Sequence, residues 1–145
     1  MISKTVLVLA EPFGAGLDGK RVASALARGL SAAGQLECDC CQLGKDSDTR
    51  KRAAALLDEC DFDRRMRAAR AVVIAREHLD DRSLAGSVAF EAATRARQGG
   101  VPAYAVSARD ELDPFEARIL DLQVVLQAAD TRALSAAGRR LATIV

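Results

Sequence analysis

The chain has 145 residues, of which 50% are hydrophobic and 28% charged, a globular composition with enough length for one domain to bury roughly 70% of its unfolded surface. Its 21 Lys and Arg residues against 20 Asp and Glu leave a net charge of +1, which supplies no field to attract nucleic acid or an anionic lipid surface. Aromatic residues are 3% of the chain and Trp is absent, so base-stacking platforms and aromatic sugar cradles are not expected.

No apolar run approaches the roughly 20 residues of a membrane span. The start, Met1-Ile2-Ser3-Lys4, lacks the apolar run and cleavage site of a signal peptide. The expectation is a cytoplasmic protein without a membrane partner.

Lys4 to Ala10 is a continuous apolar run, as in a strand buried on both faces. A glycine-containing segment, Glu11 to Gly19, leads into a helix in which Val22, Ala25, Leu26, Gly29 and Leu30 recur at helical spacing until Gly34 stops it. Leu36 to Leu43 reads as a second strand, followed by a polar connector from Gly44 to Thr49. A helix is expected over Arg50 to Asp58, and a short one near Asp63 to Ala69. Ala71 to Ala75 is the next buried strand, and Arg76 to Arg82 a charged turn. A helix is then expected from an N-cap at Ser83 to Gly99-Gly100. Val101 to Ser107 reads as a strand with Pro102 at its edge, and Asp113-Pro114 as an N-cap with proline at the first helical position. Leu122 to Leu126 is the last strand, and Asp130 caps the final helix. Strict alternation of strands and helices predicts a single domain over residues 1–145. Its architecture is a three-layer α/β/α sandwich around a doubly wound parallel sheet of about five strands.

In such a fold, ligands bind outside the carboxyl ends of the strands, where three loops carry polar or glycine content. Gly14-x-Gly16-x-x-Gly19 in the first matches the spacing of a pyrophosphate-binding turn. Gln42 and Leu43 stand where an acidic ribose-binding residue would end the second strand. The second loop, Arg76 to Ser83, gathers carboxylates, His78 and a helix start. Asp80 there suits magnesium binding or proton acceptance, His78 suits titration near neutrality, and a solvated turn with capping charges is the plain alternative. In the third, Ser107 to Glu111, Arg109 suits a carboxylate or phosphate, or an ordinary surface ion pair.

Cys38, Cys40 and Cys41 lie in the second strand, the first two on one face and Cys41 on the other, and Cys60 stands apart. The spacing is not that of a zinc site, and no metal ligand set is expected. The residues read as small apolar side chains, with a redox or metal site as the alternative.

Several segments resemble type I glycerate kinases. Phe62-Asp63-Arg64-Arg65-Met66-Arg67-Ala68-Ala69-Arg70-Ala71-Val72-Val73-Ile74 is similar to that family's FDERLxGADLVIT. Leu79-Asp80-Asp81-Arg82-Ser83-Leu84-Ala85-Gly86 is similar to its LDxQ(S/T)LxG, and Ala96 to Pro102 to the AxxxGVPV that follows. Ala10 to Leu17 resembles APDSFKGSL, and Val22 to Leu30 resembles VAxAIxxGL. Together these cover roughly residues 4–43 and 56–145.

The resemblance implies a Rossmann-like domain that those kinases build from both chain ends, without the second domain inserted between them. It implies ATP and Mg²⁺ as cofactors and transfer of the γ-phosphate to glycerate. Glu11 and Asp80 take catalytic positions by this resemblance, and Gly14, Gly16, Ser83 and Gly86 cofactor-binding ones. The family's Asp in APDSFK stands as Glu11, its Lys as Gly14 and its Ser as Gly16. The TGEGR turn becomes Ile74 to His78, the Lys after LxG becomes Ser87, and Gly44 to Thr49 replaces ADGGEGT. Loss of positive charge around the phosphates works against phosphoryl transfer. The expected function is therefore a kinase-derived domain that binds a nucleotide, another small anion or a protein partner, with a homo-oligomer among the expectations. The alternative is a minimal or partner-dependent kinase for a small hydroxy acid.

Overall fold

The computed structural model describes residues 3–14, 16–44 and 50–145. The connector expected over Gly44 to Thr49 lies outside the described residues except for Gly44. The rest forms one α/β domain in the order β1 (Thr5–Ala10), α1 (Gly19–Leu30), β2 (Glu37–Gln42), α2 (Arg50–Glu59), α3 (Phe62–Arg67), β3 (Ala71–Ala75), β4 (His78–Asp80), α4 (Asp81–Leu84), α5 (Val88–Gln98), β5 (Ala103–Ser107), β6 (Arg109–Glu111), α6 (Pro114–Ile119), β7 (Leu122–Gln127) and α7 (Thr131–Ala142).

Five strands make one parallel sheet, ordered β2-β1-β3-β5-β7. The chain moves outward from β1 to β2, then returns past β1 and moves the other way, so the direction of winding reverses between β1 and β3. That reversal opens a crevice at the carboxyl ends of these two strands.

Both faces of the central strands are covered, which is why β1 from Val6, the whole of β3 and β5 up to Ser107 read as near-continuous apolar runs rather than alternating. Leu7, Leu9, Val72 and Ile74 pack on one side with Ala53 and Leu57 of α2, Phe62 and Met66 of α3, and the alanine face of α5. Val6, Val8, Ala10, Val73 and Ala75 pack on the other with Val22, Leu26 and Leu30 of α1 and Leu134 and Leu141 of α7. Helices α1 and α7 cross closely at two glycines. A Cβ on Gly29 would stand 1.9 Å from the Ser135 carbonyl oxygen, and one on Gly138 would stand 2.4 Å from that of Leu26.

Two expectations are corrected. The stretch from Ser83 to Gly99 is two helices, not one, because Gly86 adopts φ +80° and breaks the run. Ser83 is therefore inside α4, which is capped by Asp80 accepting from the Ser83 N–H at 2.7 Å. Ser87 caps α5, accepting from the Phe90 N–H at 3.1 Å. The charged turn after β3 and the polar loop after β5 each contain a three-residue strand, and these pair in parallel as β4 and β6. Three residues are too few for a pattern to announce them: β4 has only Leu79 as a buried apolar residue, and β6 is polar throughout. They pair because β3 and β5 are neighbours and deliver their trailing segments side by side.

Candidate functional site

Glu11 and Arg76 are the first residues beyond β1 and β3, whose last residues, Ala10 and Ala75, are register partners. Side chains alternate along a strand. Leu7, Leu9, Val72 and Ile74 therefore set the face to which Glu11 and Arg76 also belong, and the two side chains emerge together. Arg76 Nη1 donates to Glu11 Oε1 at 3.0 Å and Oε2 at 3.2 Å, and Nη2 donates to the Ser83 carbonyl at 3.3 Å. Both side chains of the pair are largely buried, at 10% and 9% exposure. They floor a crevice of about 390 Å³ lined by Glu11, Pro12, Gly14, Arg76, Glu77, His78 and Ser83.

The glycine loop forms one wall. Gly14 adopts φ +71°, and a Cβ there would lie 3.1 Å from Glu77 Oε2, so a carboxylate faces this turn. Gly16 has open space where a Cβ would be, and its carbonyl accepts from Arg21 Nη1 at 3.2 Å. Gly19 starts α1 so close to the sheet that a Cβ would meet the Ala10 and Leu43 carbonyl oxygens, each at 2.9 Å. The third glycine of the spacing thus serves helix–strand packing. Leu43, at the expected ribose position, is buried.

Asp80 is at the rim rather than in the lining. Its Oδ1 accepts from both the backbone N–H and the hydroxyl of Ser83. The Ser83 hydroxyl bond is the main reason the Asp80 carboxyl titrates below its ordinary value. Gly86 serves the break between α4 and α5. Of the residues singled out from the sequence, the structure brings Glu11, Gly14 and Ser83 together in the crevice, and leaves Asp80, Gly16 and Gly86 outside its lining.

His78 links the crevice to the small sheet. Its Nε2 meets Glu111 Oε1 at 2.6 Å, and Arg109 Nη2 meets its Nδ1 at 3.2 Å. The same Nδ1 lies 3.5 Å from Asp80 Oδ2. Arg109 thus contacts the imidazole, not a carboxylate. Ser107, fully buried at the end of β5, donates toward the carbonyls of Glu77 at 3.0 Å and Arg109 at 2.8 Å. Among the described residues no group of three or more His, Cys, Asp or Glu is placed to hold a metal ion.

Arg76, Glu77 and Glu111 carry more of the site than the sequence reading assigned to them. The signal for Arg76 was its place one residue past a buried strand, matching Glu11 one residue past another. It becomes readable once the strand order puts β1 beside β3.

No curated protein matches the chain. A crystal structure of a Burkholderia pseudomallei K96243 protein described as pilus assembly-related is similar to it. The TM-score is 0.54 and the identity 24%, over 96% of this chain and 89% of that one. At that identity the likeness is one of fold. No helix of the described residues is long and apolar enough to cross a membrane. A model of the glycerate kinase family matches residues 7–141, nearly the whole sequence, and the chain belongs to that family.

Proposed function

We propose that this glycerate kinase family domain holds a small anionic ligand of the hydroxy-acid class in the crevice over Glu11 and Arg76, without carrying out phosphoryl transfer. The observation that carries the proposal is the Glu11–Arg76 pair itself. The carboxylate that the family resemblance would put to work is already bound at both oxygens by a guanidinium. The crevice volume of about 390 Å³ falls within the range of small-ligand pockets. Arg76, His78 and Ser83 line it, and a bound carboxylate or hydroxyl would share groups that already meet Glu11, Glu111 and Asp80.

The lining does not suit a magnesium nucleotide. Phosphates need concentrated positive charge, yet the described lining contains no lysine and holds Glu77 against Gly14. Asp80 is engaged as a helix cap, so the two acidic residues expected to work on substrate each have a structural task.

Calorimetric titration with glycerate, ATP and ADP, run beside a coupled ADP-release assay with Mg-ATP, tests the proposal. Glycerate-class binding without turnover is the expected result. Turnover above background that disappears in Asp80→Asn would overturn it and favour a kinase completed by a second chain. That second reading is supported by the Leu79 to Gly86 segment, which keeps Asp80 and Ser83 in contact at the crevice rim.

A further inference from the structure

Cys41 and Cys60 belong to the same apolar cluster, on one side of the sheet. Cys41 is near the end of β2, buried in the core cluster against which Cys60 packs from the turn after α2. The Cys60 thiol donates to the Leu57 carbonyl at 3.4 Å, and Cys38 and Cys40 belong to the cluster on the other side. Arg65 of α3 ties β2 to the turn that carries Cys60. Its Nη1 donates to the Cys60 carbonyl at 2.9 Å and its Nη2 to the Cys40 carbonyl at 3.0 Å. The same guanidinium grips Asp39 through Nε at 2.9 Å and Nη2 at 2.6 Å.

We propose that Cys41 and Cys60 are a dithiol redox pair, in which a peroxide-class oxidant is reduced at Cys60 and Cys41 closes an intramolecular disulfide. In the first step the Cys60 thiolate attacks a peroxide oxygen. The O–O bond breaks, an S–O bond forms, and the departing hydroxide takes a proton to become water. The sulfur loses two electrons to the peroxide and becomes a sulfenic acid. In the second step the Cys41 sulfur attacks the Cys60 sulfur. The S–S bond forms, the S–O bond breaks, and the Cys41 proton leaves with the hydroxyl group as a second water.

The local charges assign the roles. Hydrogen bonding with Cys41 is the largest influence pulling the Cys60 thiol down to about 7, with Arg65 assisting against burial and Asp61. The same interaction, burial and the Cys60 and Asp39 charges push Cys41 up, against Arg65, so it keeps its proton until Cys60 has reacted. Cys60 is part-exposed and Cys41 buried, as suits an attacking and a resolving thiol. Burial, first, and the neighbouring Cys40 push Cys38 up to about 11. Cys38 and Cys40 also lie two residues apart on one strand, roughly 6.5 Å along it, which disfavours a bridge between them.

The experiment treats the intact chain with hydrogen peroxide and maps its thiols by mass spectrometry. Expected are the loss of two hydrogens, a Cys41–Cys60 crosslinked peptide, and a melting midpoint raised by about 5–10 °C. Native iodoacetamide labelling near pH ~7 should reach Cys60 at least about tenfold faster than Cys38. Cys41→Ser should leave a dimedone-trappable sulfenic acid on Cys60, and Cys60→Ser should leave Cys41 reduced. Four thiols unchanged after peroxide that oxidises a small dithiol, a bridge mapped to other cysteines, or equal labelling of Cys60 and Cys38 would each overturn the proposal. The crosslink map and the labelling need no variant to fold.

Discussion

Arg76 Nη1 sits 3.0 Å from one oxygen of Glu11 and 3.2 Å from the other, joining the carboxyl ends of β1 and β3 where the sheet reverses its winding. The backbone prepares the contact. The Glu11 N–H donates to the Ala75 carbonyl at 3.0 Å, and the Arg76 N–H to that of Val106 at 3.1 Å. Both residues thus continue the ladder by one step before the chain departs into loops. A binding crevice whose floor is an internal ion pair is rigid there, and a ligand must address charges that already address each other.

Removing one partner of this pair leaves the other charge largely buried. Glu11→Gln and Arg76→Met are each expected to cost about 3–5 kcal/mol, and the double replacement by leucine less than the sum. Urea unfolding of the three variants measures this. Single variants within about 1 kcal/mol of the parent would show that water, not Arg76, solvates Glu11.

The sheet was legible because β1, β3 and β5 are buried on both faces and so cannot alternate; Val6 to Ala10 and Ala71 to Ala75 have no polar position to hide. The boundary at Gly86 was not legible, since Ser83 is as acceptable an N-cap as Asp80 or Ser87 until the φ of +80° is known. Strands β4 and β6 escaped because three residues, with Leu79 the one apolar side chain among the six, are too few to show a period, and their pairing is imposed by neighbours. The crevice was half legible. Glu11, Gly14 and Ser83 stood out as loop residues, whereas the Arg76 partnership depends on strand order, which alternation alone does not determine. The Cys41–Cys60 contact is similarly tertiary, although the placement of Cys41 opposite Cys38 and Cys40 followed from strand alternation and holds.

The α1–α7 crossing inverts the usual effect of glycine in a helix. Gly→Ala at an open helical site gains about 1 kcal/mol from propensity. At Gly29 and Gly138 the added carbon meets backbone oxygen at 1.9 and 2.4 Å, which no rotamer can relieve. Gly29→Ala and Gly138→Ala are expected to destabilise by about 2–4 kcal/mol, while Gly16→Ala, with nothing nearby, stays within about 1 kcal/mol of the parent. Melting midpoints of the three decide it. A stabilised Gly29→Ala would mean that the helices pack further apart.

The Asp39–Arg65 contact sets a pH dependence of known sign. The hydrogen bond from Arg65 holds the Asp39 carboxyl below its ordinary value, so the folded state binds a proton there less readily than the unfolded chain. Its stabilising contribution is present above the unfolded value of about 3.9 and is lost as pH falls through the lower folded value. Asp39 is a third exposed, at 34%, so the effect is screened and modest. Asp39→Asn should lower the melting midpoint near pH ~6 and approach the parent curve below pH ~3. Parallel curves for the two proteins would contradict this assignment.

Ser107 offers a way to disturb the crevice without touching it. Its hydroxyl is fully buried and reaches the carbonyls of both Glu77 and Arg109, tying the exit of β3 to that of β5. The Arg109 N–H also donates to the Glu77 carbonyl, at 2.9 Å, so a single point holds β4 and β6 in register and thereby places His78 between Glu111 and Arg109. Ser107→Ala removes the hydroxyl with little change of volume and should cost about 1–3 kcal/mol through the carbonyls it leaves. The larger readout is local. Amide exchange at Arg109 and the ring resonances of His78 should change while the exchange of Val73 and Ile74 in the sheet centre stays slow. If the His78 resonances are unmoved, the two short strands pair without the serine, and the rim of the crevice is held by the backbone alone.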